Sequence, residues 1–279
     1  MRPPYLPGVN AVEDNRLKLI LQYDGSAFHG WQIQRDKRTV QGELEAALKQ
    51  LTSARRPVVG SGRTDRGVHA TGQVAAVSVP APWQPERLKK ALSAILPNDI
   101  WIESVQGVPA DFHPRFDAVA RTYVYRLGLS EAARSPFERP WCWPLMAELD
   151  TPLLDNAASL LPGTHTFKAF AKSGQPERGD SCTIAQACWV PWRDLGLEFR
   201  ITADRFLHHM VRYLVGTMVD VARGRRPLED LRLLLRGPGG GDLKTSPPAP
   251  PEGLFLHHVA YPENAQEPLA ERLLHPPTQ

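Results

Sequence analysis

Between Leu17 and Val105 the apolar residues switch repeatedly from a period of two to a period of about 3.6, and that order restricts the fold more than any other feature of the chain. Leu17, Leu19, Leu21 and Tyr23 alternate with Lys18 and Gln22, the pattern of a half-buried strand. Thr39 is placed to cap a helix that carries Val40, Leu44, Ala47, Leu48 and Leu51 on one face. Pro57-Val58-Val59 is a short β-prone run and Val74 to Val79 is another. A second amphipathic helix turns Leu88, Ala91, Leu92 and Ile95 inward and stops at Pro97-Asn98-Asp99, after which Ile100 to Val105 reads as a strand.

Strand, helix, strand, loop, strand, helix, strand is a split βαβ plan. It predicts an α+β fold in which helices cover one face of a largely antiparallel sheet and leave the other face to a ligand. The second half repeats the plan loosely. A strand carries Tyr123 and Tyr125 on one face. A helix over 151–161 has Thr151 as its cap and Pro152 at its first position. Leu197, Phe199 and Ile201 alternate as a strand, and a helix from Phe206 to Ala222 buries Leu207, Met210, Val211, Leu214, Met218 and Val221. Residues 252 to 262 form a closing strand. The predicted organisation is a loose tail over 1–14, an N-terminal half over 15–113, a C-terminal half over 114–262 and a variable tail over 263–279. The stretch from Ser173 to Asp180 and the Gly- and Pro-rich run from Pro238 to Pro251 read as loops.

Several function classes find no support. Cys142, Cys182 and Cys188 are odd in number and lack C-x-x-C spacing, which argues against a disulfide framework, a zinc site and a zinc deaminase, and for a reducing compartment. The start, MRPPYLPG, lacks the basic-then-apolar pattern of a secretory signal, and no apolar run approaches the roughly 18 residues of a membrane span. The expectation is a cytoplasmic protein. A net charge of +3 demands no polyanion partner. Arginines outnumber lysines by 25 to 8, a bias that a GC-rich genome also produces, so only the arginines near one loop are read as functional.

That loop lies in GSGRTDRGVHATGQVAAV, residues 60 to 77, between two β-prone runs. Asp65 is its only acid and has Arg63 and Arg66 beside it. A nearby guanidinium favours the ionised carboxylate, the form a nucleophile or base needs. The plainer reading is that Asp65 opens a tight Asp-Arg-Gly turn. Asp65 stands where a dinucleotide fingerprint needs its third glycine, and Val68 and His69 follow Gly67 where a P-loop needs Lys and Ser or Thr. The adjacent His208 and His209 lack the i,i+4 spacing of a helical metal pair, so no metal is read there. Trp31 and Gln32, in YDGSAFHGWQIQ, offer a stacking and hydrogen-bonding pair for a base, with a core tryptophan as the preferred alternative.

Gly62 to Val74, read as G-R-T-D-x-G-V-H-A-x-G-Q-V, resembles the signature of the tRNA pseudouridine synthase A family. Further resemblances follow in order: Tyr23 to Gln32, Phe112 to Tyr125, Gly163 to Phe170, Phe206 to Gly216 and Glu252 to Leu256, so that the likeness spans about residues 16 to 262. Arg66 departs from the small residue common there, and Thr166 replaces the usual acid.

The resemblance implies a pseudouridine synthase fold of two ferredoxin-like halves and an isomerase with no cofactor and no metal. The substrate is the anticodon arm of tRNA at positions 38 to 40, and the enzyme is a homodimer with an RNA groove between subunits. It implies that Asp65 is the nucleophile, that Arg212 pairs with it, and that Arg63 fills the gap left by the extruded base. Tyr123, Leu254, Arg66 and His69 are implied to contact the substrate. Three rivals stand beside it: a pseudouridine synthase for another RNA, an RNA-binding module without catalysis, and a nucleoside glycosidase that releases free uracil.

Overall fold

The computed structural model describes residues 14–172, 179–237 and 243–262. The expectations for the tails over 1–13 and 263–279, for residues 173–178 and for residues 238–242 lie outside the described residues. In chain order the regular elements are β1 (Asn15–Tyr23), α1 (Val40–Thr52), β2 (Val59–Gly60), β3 (His69–Val79), α2 (Pro85–Ile95), β4 (Ile100–Gly107), β5 (Ala120–Gly128), β6 (Trp143–Pro144), α3 (Thr151–Ser159), β7 (Gly163–Thr166), β8 (Ser181–Trp192), β9 (Gly196–Ala203), α4 (Met210–Ala222), α5 (Leu228–Arg236) and β10 (Leu254–Ala260). The strands form a single mixed, mostly antiparallel sheet in the order β4-β1-β3-β10-β5-β9-β8-β7, with β2 paired to β3 and β6 to β5.

The central strands are where the sequence is most apolar. On β1, Leu17, Leu19 and Leu21 are buried as their alternation requires. Lys18 is not the solvent-facing residue that the same alternation suggests: it is only 7 % exposed, and its ammonium lies 5.5 Å from the centre of the Tyr261 ring. β3 is covered on both faces, and its small residues Ala75 and Ala76 are fully buried. α1 begins after Thr39, whose side chain accepts from the Gly42 amide, as predicted. α3 starts at Thr151, but its cap is Asp150, which accepts from the Leu153 amide; a carboxylate one residue earlier serves the N-terminal amides at least as well.

α4 departs further. It begins at Met210 and not at Phe206, because His209 adopts a left-handed backbone (φ +65°) that a helix interior does not accept. His208 and His209 therefore form a turn ahead of the helix, closed by the Met210 amide donating to the Leu207 carbonyl. β8 and α5 went unpredicted, and β5 begins at Ala120, three residues before Tyr123.

The position of β10 is the topological feature that matters for function. The last strand does not extend an edge. It inserts between β3 and β5, parallel to the first (Phe255 opposite His69, Leu256 opposite Ala70) and antiparallel to the second (Leu254 opposite Tyr125). A register shift between Leu256 and His258 turns the His257 carbonyl toward β3. A Cβ on Gly72 would lie 2.1 Å from that oxygen, so only glycine fits at this crossing. Gly72→Ala is expected to lower stability by about 1–3 kcal/mol, read as a lower urea midpoint. Gly107→Ala, where a Cβ meets nothing within 4 Å, is the matched control and is expected to stay close to wild type.

Candidate active site

The loop between β2 and β3 is held from below by uncharged hydrogen bonds. Gln73, fully buried on β3, accepts from the Ser61 hydroxyl (2.8 Å) and donates to the Gly62 carbonyl (3.0 Å). The Thr64 hydroxyl and the Tyr23 hydroxyl are 2.8 Å apart in the core. The segment after β1 closes over the loop from one side: the Trp31 amide donates to the Thr64 carbonyl and the Gly67 amide donates to the Phe28 carbonyl. Gly30 makes that approach possible. Its φ is +89°, and a Cβ would sit 2.5 Å from the Thr64 carbonyl oxygen. Trp31 is 3 % exposed, a core residue under Gly60, while Gln32 reaches the cleft above.

Both sequence readings of Asp65 hold a part of the geometry. Its carbonyl accepts from the Val68 amide, and Gly67 at φ +78° completes a tight turn. Its side chain takes no part in that turn. Asp65 Oδ1 lies 3.3 Å from His208 Nε2, and Oδ2 lies 3.3 Å from His209 Nε2 and 3.5 Å from Arg212 Nη1. The basic partners of Asp65 thus come from the turn before α4 and from its first helical turn. They are not Arg63 and Arg66, which are exposed and line the cleft without an ion pair to the carboxylate. Burial pushes the His209 imidazole below its ordinary value, with Asp65 pulling it the other way.

Arg212 is 12 % exposed, a burial that an arginine tolerates only with its charge and donors engaged. Its Nε donates to the Ala249 carbonyl at 2.7 Å, and the Ala249 amide donates back to the Arg212 carbonyl at 2.9 Å. The stretch leading into β10 is thereby fixed to α4. Ser246 adds to this, its amide donating to the Thr217 hydroxyl.

Around Asp65 opens a cleft of about 1150 Å³. Its charged lining is one-sided: Arg63, Arg66, Arg115, Arg121, Lys172 and Arg205, against the two carboxylates of Asp65 and Asp204. A low-dielectric groove with that lining focuses positive potential and attracts a polyanion. Arg121 also ties the cleft together, donating to the carbonyls of Asp204 (2.9 Å), Arg115 (2.7 Å) and Ser61 (3.3 Å). Tyr123 and Leu254, both buried, line the cleft, with Phe206 edge-on to the Tyr123 ring at 5.0 Å. Burial, first, and the nearby Tyr23 and Asp65 raise the Tyr123 phenol above its ordinary value, so it stays protonated.

Of the predicted site residues, the structure brings Asp65, Arg63, Arg66, Tyr123 and Leu254 to one cleft and sets Arg212 behind Asp65. It does not bring His69. That side chain is fully buried, accepts from the Gly25 amide at 3.0 Å and stacks on Phe255 at 4.7 Å. Phe255 alternates on β10 with Leu254, which lines the cleft, so His69 packs on the other face and the expected substrate contact is corrected to a structural one. His208 and His209 were visible in the sequence but judged only by their spacing along a helix. Lys172, Asp204 and Arg205 carried no local signal at all.

The sequence model of the family described as tRNA pseudouridine synthase matches residues 19–117 and 157–262. A protein of Geobacillus kaustophilus named tRNA pseudouridine synthase A is 40 % identical over 248 residues, covering 88 % of this chain and 94 % of its own. Its namesake in Methylacidiphilum infernorum is 38 % identical over 250 residues (89 % and 96 %), and that of Syntrophomonas wolfei 36 % identical over 252 residues (90 % and 100 %).

The buried His69 has a measurable consequence. Burial lowers its affinity for a proton, with Asp24 opposing, so the fold holds it neutral while the unfolded chain protonates it near pH 6.5. Its contribution to stability is therefore full above about pH 6.5 and is lost as pH falls. His69→Phe, which keeps the stacking but not the titration, is expected to show a smaller drop in Tm between pH 7.5 and 5.5 than wild type. An equal drop in the two proteins would count against this account.

Proposed function

The chain belongs to the tRNA pseudouridine synthase family and is an isomerase acting on tRNA; on that premise we propose that it converts uridine to pseudouridine in the anticodon stem-loop, at positions 38, 39 and 40, with Asp65 as the nucleophile. The observation that carries the proposal is the setting of Asp65: a carboxylate inside an arginine-lined cleft, held by three basic side chains from the other half of the chain.

The reaction breaks the bond from C1′ to N1, turns the base and joins C5 to C1′; the C5 proton leaves and N1 regains one. Asp65 attacks the bound nucleotide, and Arg212, fixed at Ala249, aims its carboxylate. Tyr123 and Leu254 give the base an apolar floor, on which the detached ring is retained while it turns. Arg63, exposed at the rim, takes the place of the extruded base, since an enzyme acting within a stem must draw its target out of the stack. Arg66 adds a phosphate contact. We read residues 15–113 and 114–262 as two split βαβ halves, and the working form as a cytoplasmic homodimer. A binding module without catalysis gives no reason for an acid at the centre of a basic groove, where it repels phosphate.

Asp65→Asn is expected to lower tritium release from C5-labelled tRNA to below about one ten-thousandth of wild type, while tRNA still binds. Turnover near wild type sinks the nucleophile assignment, and free uracil among the products would mark a glycosidase instead. Arg66→Ala is expected to reduce the slope of log affinity against log salt by about 0.7–0.9, the share of one phosphate contact. An unchanged slope removes Arg66 from the interface.

A further inference from the structure

His208 and His209 do more than surround Asp65 with positive charge. One ring nitrogen of each and one carboxylate oxygen all lie within 4.8 Å of one another. Each histidine nitrogen is already 3.3 Å from a carboxylate oxygen. In a tetrahedral zinc centre, bonds of about 2.0–2.2 Å set neighbouring ligand atoms about 3.4 Å apart. With Oδ2 as the ligand oxygen, the edge to His209 is therefore in place before any ion arrives. The other two edges both end on His208 and close by a swing of that side chain, which is 50 % exposed and has room to move, whereas His209 (17 %) and Asp65 (19 %) are held. The fourth position opens onto the cleft.

We propose that Asp65, His208 and His209 form a reversible inhibitory site for a divalent transition-metal ion of the Zn²⁺ class, occupied only when the cleft holds no RNA. Two imidazoles and one carboxylate suit zinc, cobalt or nickel and not magnesium, which demands oxygen ligands. The inhibition rests on the reading of Asp65 as nucleophile: an ion bonded to its carboxylate takes the lone pair that the nucleotide requires. Arg212 sets the strength. Its Nη1 lies 3.5 Å from the same carboxylate and its Nε is fixed at Ala249, so it places a positive charge beside the ion and weakens the binding. The group that prepares Asp65 for catalysis thus keeps the metal exchangeable.

The test uses the full, untagged chain stripped with a chelator, titrated with Co²⁺ and followed by visible absorption. The expected result is one Co²⁺ per chain with the intense bands of a low-coordinate ion, displaced by Zn²⁺ and by tRNA. Asp65→Asn and His209→Ala should each weaken binding by about tenfold or more. Arg212→Leu should strengthen it while destroying turnover, an inverse effect that misfolding does not produce. Faint six-coordinate bands, or Asp65→Asn binding as tightly as wild type, overturn the site. Undiminished pseudouridine formation in saturating Zn²⁺ overturns the inhibition. A wild type that binds Co²⁺ but makes no pseudouridine in metal-free buffer refutes the proposed function and leaves the site standing.

Discussion

The contact between the Asp65 carboxylate and the start of α4 is the constraint on which the rest depends. Asp65 belongs to a loop between β2 and β3; His208, His209 and Arg212 come from almost a hundred and fifty residues later. A charged group and its partners keep a distance near 3.4 Å across such a separation only if both are mounted on rigid parts. The sheet provides the mount. β10 hydrogen-bonds to β3 on one side and β5 on the other, and the stretch just before it is bonded to Arg212 through Ala249. Carboxylate, guanidinium and floor are thus referred to one strand.

Beneath the loop the support is polar but uncharged. Gln73, Tyr23 and Thr64 satisfy one another and the loop carbonyls without adding charge next to Asp65. That division is physically sensible. Charges brought close to a reactive carboxylate change its reactivity, whereas amides and hydroxyls fix its position and leave its electrostatics to the cationic side. The two histidines and the arginine are then the sole basic partners of Asp65 among the described residues.

Legibility in the sequence followed the range of the forces involved. β1, α1 and α2 are governed by local period and caps, and Leu17, Leu44 and Leu88 sit where the pattern put them. That Asp65 and Arg63 of the loop and Tyr123 of β5 line one cleft was readable because two ordered motifs carried them. The start of α4 was not: its apolar spacing runs back to Phe206, but the spacing does not encode that His209 takes a left-handed backbone to bring its ring to Asp65. His69 was misplaced for a related reason, since membership in a motif does not say which face of a strand a residue occupies. β8 has three partly buried residues in succession, Gln186, Ala187 and Cys188, and so lacks the clean alternation that marks a strand.

The insertion of β10 also bears on how the protein comes into being. Ribosomes deliver the N-terminal segments first, and β1, β3 and β4 can pair as soon as they emerge. The end of β3 that follows the Asp65 loop, however, has its neighbour in Phe255 and Leu256. Until those residues are made, β3 and β5 each expose a strand edge to other nascent chains. The cleft around Asp65 is therefore completed late in synthesis, and an unfinished chain is liable to aggregate.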